Sequence, residues 1–102
     1  MTVYLLIAYD ISDDKLRLKV ANRLQDMGLD RVQKSVFMGM TTTALRVAFD
    51  QWWATSLQPK VAPNDSILIL DLQQTQILRM QQLGNSDLDI PYLVGLRNTL
   101  FF

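Results

Sequence analysis

Residues 3–10 have the sequence Val-Tyr-Leu-Leu-Ile-Ala-Tyr-Asp, an apolar run rich in β-forming residues that ends in a carboxylate. A run of this kind predicts a buried central strand. Ser12 then predicts a helix N-cap, with Asp13 and Asp14 in the positively charged first turn. The apolar residues that follow recur at helical spacing, namely Leu16, Val20, Leu24 and Met27. Gly28 predicts the helix end, so the chain is expected to begin with a strand, a loop and one helix.

The remainder of the chain predicts alternating elements of the same two kinds. Residues 31–40 predict a strand that is bent, or broken into two pieces, near Ser35. Residues 44–57 predict a second helix whose inner face would be Leu45, Ala48, Phe49 and Trp52. Residues 66–72 and 76–83 predict two further strands. The order β-α-β-α-β-β predicts an α+β sandwich, a mostly antiparallel sheet with both helices on one face.

The composition limits the chemistry that one chain can perform. Its 102 residues fit one domain, and 49% of them are apolar, enough for a core without disulfides. Cysteine and histidine are absent, and all 10 acidic residues are Asp. These absences exclude Ser-His-Asp and Cys-His nucleophiles within one chain. A side-chain metal site would need oxygen ligands, which select Mg²⁺, Mn²⁺ or Ca²⁺.

The start of the chain bears on its location. No basic region precedes the first apolar run, and polar residues interrupt that run soon after it begins. We therefore expect no signal peptide, no membrane span and a cytoplasmic location.

The formal net charge of zero hides a local excess of positive charge. Residues 15–34 contain two acidic residues and six basic ones, namely Lys15, Arg17, Lys19, Arg23, Arg31 and Lys34. Three of them, Lys15, Lys19 and Arg23, are four residues apart and therefore lie along one ridge of the first helix. A phosphate backbone would turn their mutual repulsion into attraction, whereas the alternative is a solvated helix face partly neutralised by Asp26.

Asp10 stands where the first strand gives way to the loop, a common position for functional groups in sheets covered by helices. It is a candidate catalytic or metal-binding residue. The alternative is structural, because Asp often bonds nearby amides at strand ends. A single carboxylate is a poor Mg²⁺ site, but a two-fold homodimer would bring two copies of Asp10 together.

Two segments resemble a known family. Residues 4–15, Tyr-Leu-Leu-Ile-Ala-Tyr-Asp-Ile-Ser-Asp-Asp-Lys, are similar to the opening strand and loop of the CRISPR-associated Cas-two family of spacer acquisition. Gly28 and residues 31–37, Arg-Val-Gln-Lys-Ser-Val-Phe, resemble its second signature, one helix further on. Residues 66–72 and 76–84 are similar to its later strand pair.

The resemblance implies a ferredoxin-like domain over residues 1–85 and a symmetric homodimer. Residues 86–102 would form a C-terminal tail and strand used in dimer or partner contacts. Asp10 would meet its symmetry mate and hold Mg²⁺, with Mn²⁺ as the alternative ion. Members of the family are described as metal-dependent endonucleases on single-stranded RNA or double-stranded DNA, and as the central dimer of a complex with the CRISPR integrase.

The same comparison suggests the supporting residues. By resemblance, those near the site or interface are Tyr9, Ser12, Arg17, Arg31, Gln33, Ser35 and Phe37. Many relatives have Glu after Ser-Val-Phe, whereas this chain has Met38, so a supporting carboxylate is missing. Three functions follow as hypotheses: a metal-dependent endonuclease, a non-catalytic scaffold that binds DNA and the integrase, and a toxin-type ribonuclease of the virulence-associated D group.

Overall fold

Strands and helices follow the order β-α-β-β-α-β in the computed structural model, which describes residues 1–84 and 88–95. The elements are β1 (Thr2–Asp10), α1 (Asp14–Asp26), β2 (Asp30–Gln33), β3 (Val36–Thr42), α2 (Thr43–Trp52) and β4 (Ser66–Leu72). Two short helices follow, α3 (Gln74–Leu78) and α4 (Ile90–Leu93). No helix in these two ranges has the length and apolar character needed to cross a membrane.

The four strands form one antiparallel sheet in the order β2-β3-β1-β4. Strand β1 is central and pairs with β3 on one side and β4 on the other, as its apolar sequence predicts. Each helix returns the chain across one intervening strand, which is the split β-α-β arrangement of the ferredoxin-like fold. The prediction of an α+β fold with an antiparallel sheet is confirmed.

The strand predicted over residues 31–40 is two strands joined by a tight turn. Lys34 and Ser35 form the turn, and the pairing of β2 with β3 shifts register between Arg31 and Gln33. The carbonyl oxygen of Ser35 accepts a hydrogen bond from the backbone N–H of Tyr9 at 3.0 Å. The turn is therefore held directly against the end of β1.

The first helix begins one residue later than the sequence predicts. Asp13, and not Ser12, is the N-cap, since its Oδ1 accepts a hydrogen bond from the backbone N–H of Leu16 at 2.9 Å. The side chain and the backbone N–H of Ser12 contact Asp65 instead. The predicted end is confirmed, because Gly28 follows the C-cap with a φ of 95°, a conformation that glycine adopts without strain.

The inner face of α2 differs from its prediction at one position. Phe49 is buried and Trp52 packs against the core, but Leu45 is 40% exposed. Leu45 lines an open groove between α1 and α2, together with Arg23 and Met27, and so lies beyond the packed stripe. After Trp52 the chain continues as one π-helical turn, Trp53–Leu57.

The sheet is covered by the long helices on one face and partly covered on the other. Alternate residues of β1, including Leu5 and Ile7, pack against α1 and α2, while Leu6 faces a second cluster on the opposite side. That second cluster contains Met38, Ile77, Leu93 and Val94. The two long helices lie on one face as predicted, and the short α3 and α4 cover part of the other.

The prediction of a strand over residues 76–83 is wrong. The chain forms α3 at Gln74–Leu78 because Gln73 and Gln76 make a reciprocal capping box, and Ile77 is then buried on the sheet. Residues 86–102 lie partly outside the described ranges. Within the described part, Leu93 packs into the second cluster, whereas the predicted C-terminal strand falls outside it.

Candidate functional site

Asp10 ends β1 directly opposite Ser66, the first residue of β4. Its side chain is exposed, and strand alternation places it on the sheet face away from α1 and α2. Its neighbour Tyr9 points the other way and is buried. Across residues 1–84 and 88–95, no hydrogen bond or ion pair involves the Asp10 carboxylate. The carboxylate is therefore free to bind a ligand from solvent.

The loop between β1 and α1 is held at several points. Ile11 is buried, and its carbonyl oxygen accepts a hydrogen bond from Nη1 of Arg17 at 3.0 Å. The same guanidinium forms an ion pair with Asp14. One residue further, the backbone N–H of Ser12 donates to Oδ1 of Asp65 at 3.1 Å. The residues next to Asp10 are thus fixed by both α1 and the loop before β4.

Asp65 ends the stretch Pro-Asn-Asp at residues 63–65, which is typical of a turn. Its carboxylate accepts a hydrogen bond from the backbone N–H of Ala62 at 2.9 Å, in addition to the bonds from Ser12. These donors, Ala62 foremost, lower the pKa of the Asp65 carboxyl from its ordinary value of 3.8. The Asn64-Asp65 pair signals a turn, but no local pattern indicates a bond to a residue 53 positions away.

Three cationic side chains line one groove beside the end of β1. The groove encloses about 240 Å³ and is lined by Tyr9, Asp14, Arg17, Leu18, Ala21, Arg31, Lys34 and Ser35. We call it the basic groove. Three positive charges against one carboxylate make it suited to an anionic ligand. Sequence reasoning identified Arg17, Arg31 and Lys34 separately, and the fold brings them together.

The other three basic candidates lie elsewhere. Lys15 and Lys19 are exposed on α1, as the predicted ridge requires. Arg23 is partly buried, and its guanidinium carbon lies 5.0 Å from the centre of the Trp52 ring. A cation over an aromatic face is stabilised by the ring quadrupole. Arg23 is therefore engaged with α2 and belongs to a different groove from Arg17.

Phe37 lies behind the basic groove and contacts two of the residues that line it, Tyr9 and Arg31. The Phe37 ring is fully buried and stacks against Tyr9, with ring centres 6.3 Å apart. The guanidinium carbon of Arg31, its cross-strand partner, lies 5.2 Å from the same ring. Gln33, by contrast, lines a separate apolar cavity on the other side of the register shift. Of the predicted supporting residues, Tyr9, Ser35 and Phe37 are near the groove and Gln33 is not.

The described carboxylates do not form a complete metal site within one chain. Among the described residues, no group of three or more Asp side chains is close enough to hold an ion. Met38 is buried in the second cluster, so its position supplies no ligand. Asp30, opposite Met38, is partly buried, which raises the pKa of its carboxyl. Mg²⁺ commonly binds through one or two carboxylates and retains waters, so Asp10 fits such an ion when a second copy supplies another.

Comparison with known proteins identifies the family. Residues 1–80 match the family described as CRISPR associated protein Cas2. The chain belongs to the Cas2 family. The resemblance noted in the sequence is thus confirmed, and it extends from β1 through α3.

One named relative and one solved structure are similar to this chain over most of its length. The CRISPR-associated endoribonuclease Cas2 of Korarchaeum cryptofilum is 37% identical over 79 residues, which are 78% of this chain and 82% of that protein. The crystal structure of a hypothetical protein, TT1823 from Thermus thermophilus, has a TM-score of 0.68 and 28% identity. That match covers 86% of this chain and 98% of TT1823.

One relative joins two proteins in a single chain. The protein of Thermoproteus tenax is named a CRISPR-associated endonuclease Cas1/endonuclease Cas2 fusion. It is 40% identical over 43 residues, which are 42% of this chain and 16% of the fusion protein. The Cas2 part of that protein is therefore covalently linked to a Cas1 part.

Proposed function

We propose that this Cas2-family chain works as a cytoplasmic homodimer in CRISPR spacer acquisition, binding nucleic acid and cleaving phosphodiester bonds with Mg²⁺. The observation that carries the proposal is the convergence of Arg17, Arg31 and Lys34 on one groove beside the strand end that bears Asp10. Clustered cationic side chains are the usual means of binding a phosphate backbone. The name endoribonuclease, given to the Korarchaeum relative, supports the cleavage step.

The groove and the carboxylate would perform different parts of the reaction. Arg31 and Lys34 attract phosphates, and the planar guanidinium of Arg31 can bond two phosphate oxygens at once. Asp10 presents its carboxylate at the end of the same strand but on the opposite face of the sheet from the groove, where paired copies would hold Mg²⁺. An Mg²⁺ ion held there would stabilise the negative charge that develops on the phosphoryl oxygens.

Support for a homodimer comes from the sheet face that carries Asp10. Strand β4 presents Leu68 and Leu70 on this face, 69% and 56% exposed. Neighbouring leucines at such exposure are typical of a surface that is covered in an assembly. Packing two copies of this face together would bury the leucines and place both Asp10 residues on the shared face, as a metal site built from two copies requires.

The test of nucleic-acid binding is a paired substitution in the basic groove. Arg31→Gln with Lys34→Gln should weaken binding to a short DNA duplex and to single-stranded RNA of equal length. Each lost phosphate contact lowers the slope of log Kd against log salt by about one, so the pair should lower it by about two. Fluorescence anisotropy across a salt series measures the slope.

A matched control separates the groove from general charge. Lys60→Gln with Arg79→Gln removes two exposed positive charges outside the groove and should leave the slope nearly unchanged. Lys15→Gln with Lys19→Gln tests the α1 ridge in the same assay. Equal slopes for the wild type and the groove variant would eliminate the basic groove as the binding surface.

Asp14 should oppose binding, because it neutralises Arg17 within the basic groove. Exposed ion pairs contribute about 0.2–1 kcal/mol, so Asp14→Asn should tighten nucleic-acid binding up to about fivefold. Asp26→Asn removes an equal charge from the far end of α1 and serves as the control. The competition between Asp14 and phosphate is disproved if both variants bind equally tightly.

The second candidate function is a scaffold that binds duplex DNA and the CRISPR integrase without cleaving. Two observations favour it: Met38 is buried in the second cluster and adds no carboxylate to the site, and one relative is fused to Cas1. Membership of the Cas2 family favours both candidates over an unrelated toxin-type ribonuclease. Substitution of Asp10 separates the two candidates, as described in the Discussion.

A further inference from the structure

The Asp65 carboxylate connects two loops that are distant in the sequence. Its Oδ1 accepts a hydrogen bond from the backbone N–H of Ser12 at 3.1 Å, and its Oδ2 accepts one from the backbone N–H of Ala62 at 2.9 Å. The Ser12 hydroxyl also donates to Oδ2, over 3.4 Å. We call these contacts the Asp65 clasp.

The clasp begins where the pairing of β1 and β4 ends. Asp10 and Ser66 form the terminal pair of the two strands. Asp65 directly precedes Ser66, and Ser12 lies two residues beyond Asp10. The carboxylate therefore continues the connection between the two strands after their backbone hydrogen bonds stop. Asp10 is left with the strand ladder on one side and the clasp on the other.

The Asp10 carboxylate has no side-chain partner of its own within the two described ranges. The backbone that carries it thus determines the position of its Cα and Cβ, from which the side-chain rotamers place the carboxylate. A functional carboxylate has to be held within about 0.5 Å and 10–20° of its working geometry. Support for Asp10 must come from contacts to the adjacent backbone.

We infer that Asp65 is a positioning residue for Asp10, which acts by holding the backbone N–H of Ser12. The inference rests on the proposed function, in which Asp10 binds the metal ion. Formation of the turn does not account for the Ser12 contacts, because the backbone N–H of Asp65 already closes that turn on the carbonyl of Ala62 at 3.0 Å. The bonds to Ser12 are additional to the turn.

Two other contacts hold the same loop and define the competing explanation. Ile11 is buried, and Arg17 donates to its carbonyl. Arg17 and Asp65 therefore hold opposite ends of the same peptide group, Arg17 at the carbonyl of Ile11 and Asp65 at the N–H of Ser12. If the anchors at Ile11 are sufficient, loss of the clasp leaves the Asp10 backbone unchanged.

The experiment compares Asp65→Asn with Asp71→Asn in the full chain. In Asp65→Asn one acceptor oxygen becomes an NH₂ donor, so the side chain cannot accept from both Ser12 and Ala62. Asp71→Asn removes the same charge from an exposed residue of β4. Amide hydrogen exchange is measured by NMR without metal or nucleic acid. Hydrogen bonds to charged groups contribute about 1.5–3 kcal/mol, so the Ser12 amide should exchange at least about tenfold faster in Asp65→Asn only.

The second measurement is Mn²⁺ binding, followed by electron paramagnetic resonance with Mn²⁺ in place of Mg²⁺. Loss of a group bonded directly to a metal ligand typically weakens metal affinity about 10- to 100-fold. Asp65 acts on Asp10 through the Ser12 backbone, so Asp65→Asn should weaken metal affinity by about tenfold, the lower end of that range. Its duplex binding should match that of Asp71→Asn. Ser12→Ala, which keeps the N–H, provides a milder variant with a smaller effect in the same direction. Added to Asp65→Asn, it should add nothing.

Each possible result either supports or overturns the inference. Unchanged exchange at Ser12 overturns it, as does Mn²⁺ affinity equal to that of Asp71→Asn when Ser12 exchange has risen. If the wild type binds no Mn²⁺, the proposed metal chemistry fails separately. Exchange at the Asp10 and Ser12 amides then decides whether Asp65 holds this backbone: a rise in Asp65→Asn alone supports it, and no rise overturns it.

Discussion

Asp10→Asn is expected to reduce Mg²⁺-dependent cleavage of RNA or duplex DNA by more than about 100-fold, since losing even an outer partner of a metal ligand costs about 10- to 100-fold. The substitution keeps the size of the side chain and removes its negative charge. Asp10 is exposed and has no side-chain bond to another described residue, so stability should change by less than about 0.5 kcal/mol. Single-turnover cleavage with Mg²⁺ and with EDTA measures the effect.

The control for Asp10→Asn is Asp71→Asn, which removes an exposed carboxylate from the far half of β4. It should cleave at the wild-type rate. Nucleic-acid binding and the molar mass of the assembly should be the same in both variants and the wild type. Equal cleavage by Asp10→Asn and the wild type would end the catalytic hypothesis. Absence of cleavage in all three would favour the scaffold, which spacer acquisition in cells carrying Asp10→Asn then tests.

Phe37→Ala is expected to destabilise the fold by about 3–5 kcal/mol, the usual cost of removing a large buried aromatic side chain. The Phe37 ring is fully buried, stacks on Tyr9 and supports Arg31. Small domains have a free energy of unfolding of only about 5–15 kcal/mol, so this loss is a large share of the total. Urea denaturation at one fixed protein concentration measures it.

Val47→Ala is the matched control for Phe37→Ala, because Val47 is about half exposed on α2 and its truncation should change stability by less than about 0.5 kcal/mol. The comparison decides what Phe37 does within the family motif. A loss of less than about 1 kcal/mol would contradict a packing role and assign the ring to ligand contact. A full loss places Phe37 in the core that supports the basic groove.

The parts of the fold that the sequence predicts are those with strong local patterns. The apolar run of β1, the helical spacing of α1 and the apolar β4 each determine their element from neighbouring residues alone. Residues 76–83 carried a weak pattern, and the Gln73–Gln76 capping box with the burial of Ile77 made a helix there instead. Ser12 is a residue type that is favoured at helix N-caps, but the side chain of Asp13 is the one placed to accept the hydrogen bond from Leu16.

The sequence predicted which residues belong to the site, but it did not predict how they are arranged in space. Charge counting identified Arg17, Arg31 and Lys34, but only the fold shows that they share a groove from which Arg23 is excluded. The hydrogen bond between Ser12 and Asp65 joins residues 53 positions apart, so no local sequence pattern predicts it. Resemblance to the family suggested both Asp10 and Phe37 as site residues. The structure shows that the carboxylate of Asp10 is exposed, whereas the ring of Phe37 is buried.

Strand β4 is an edge of the described sheet and presents Leu68 and Leu70 to solvent. An edge strand with exposed leucines offers backbone donors and acceptors to any other extended chain, which favours aggregation. The described residues leave this edge unpaired, so association through it would depend on protein concentration. Protein concentration and order of mixing are therefore experimental variables in every assay of this chain.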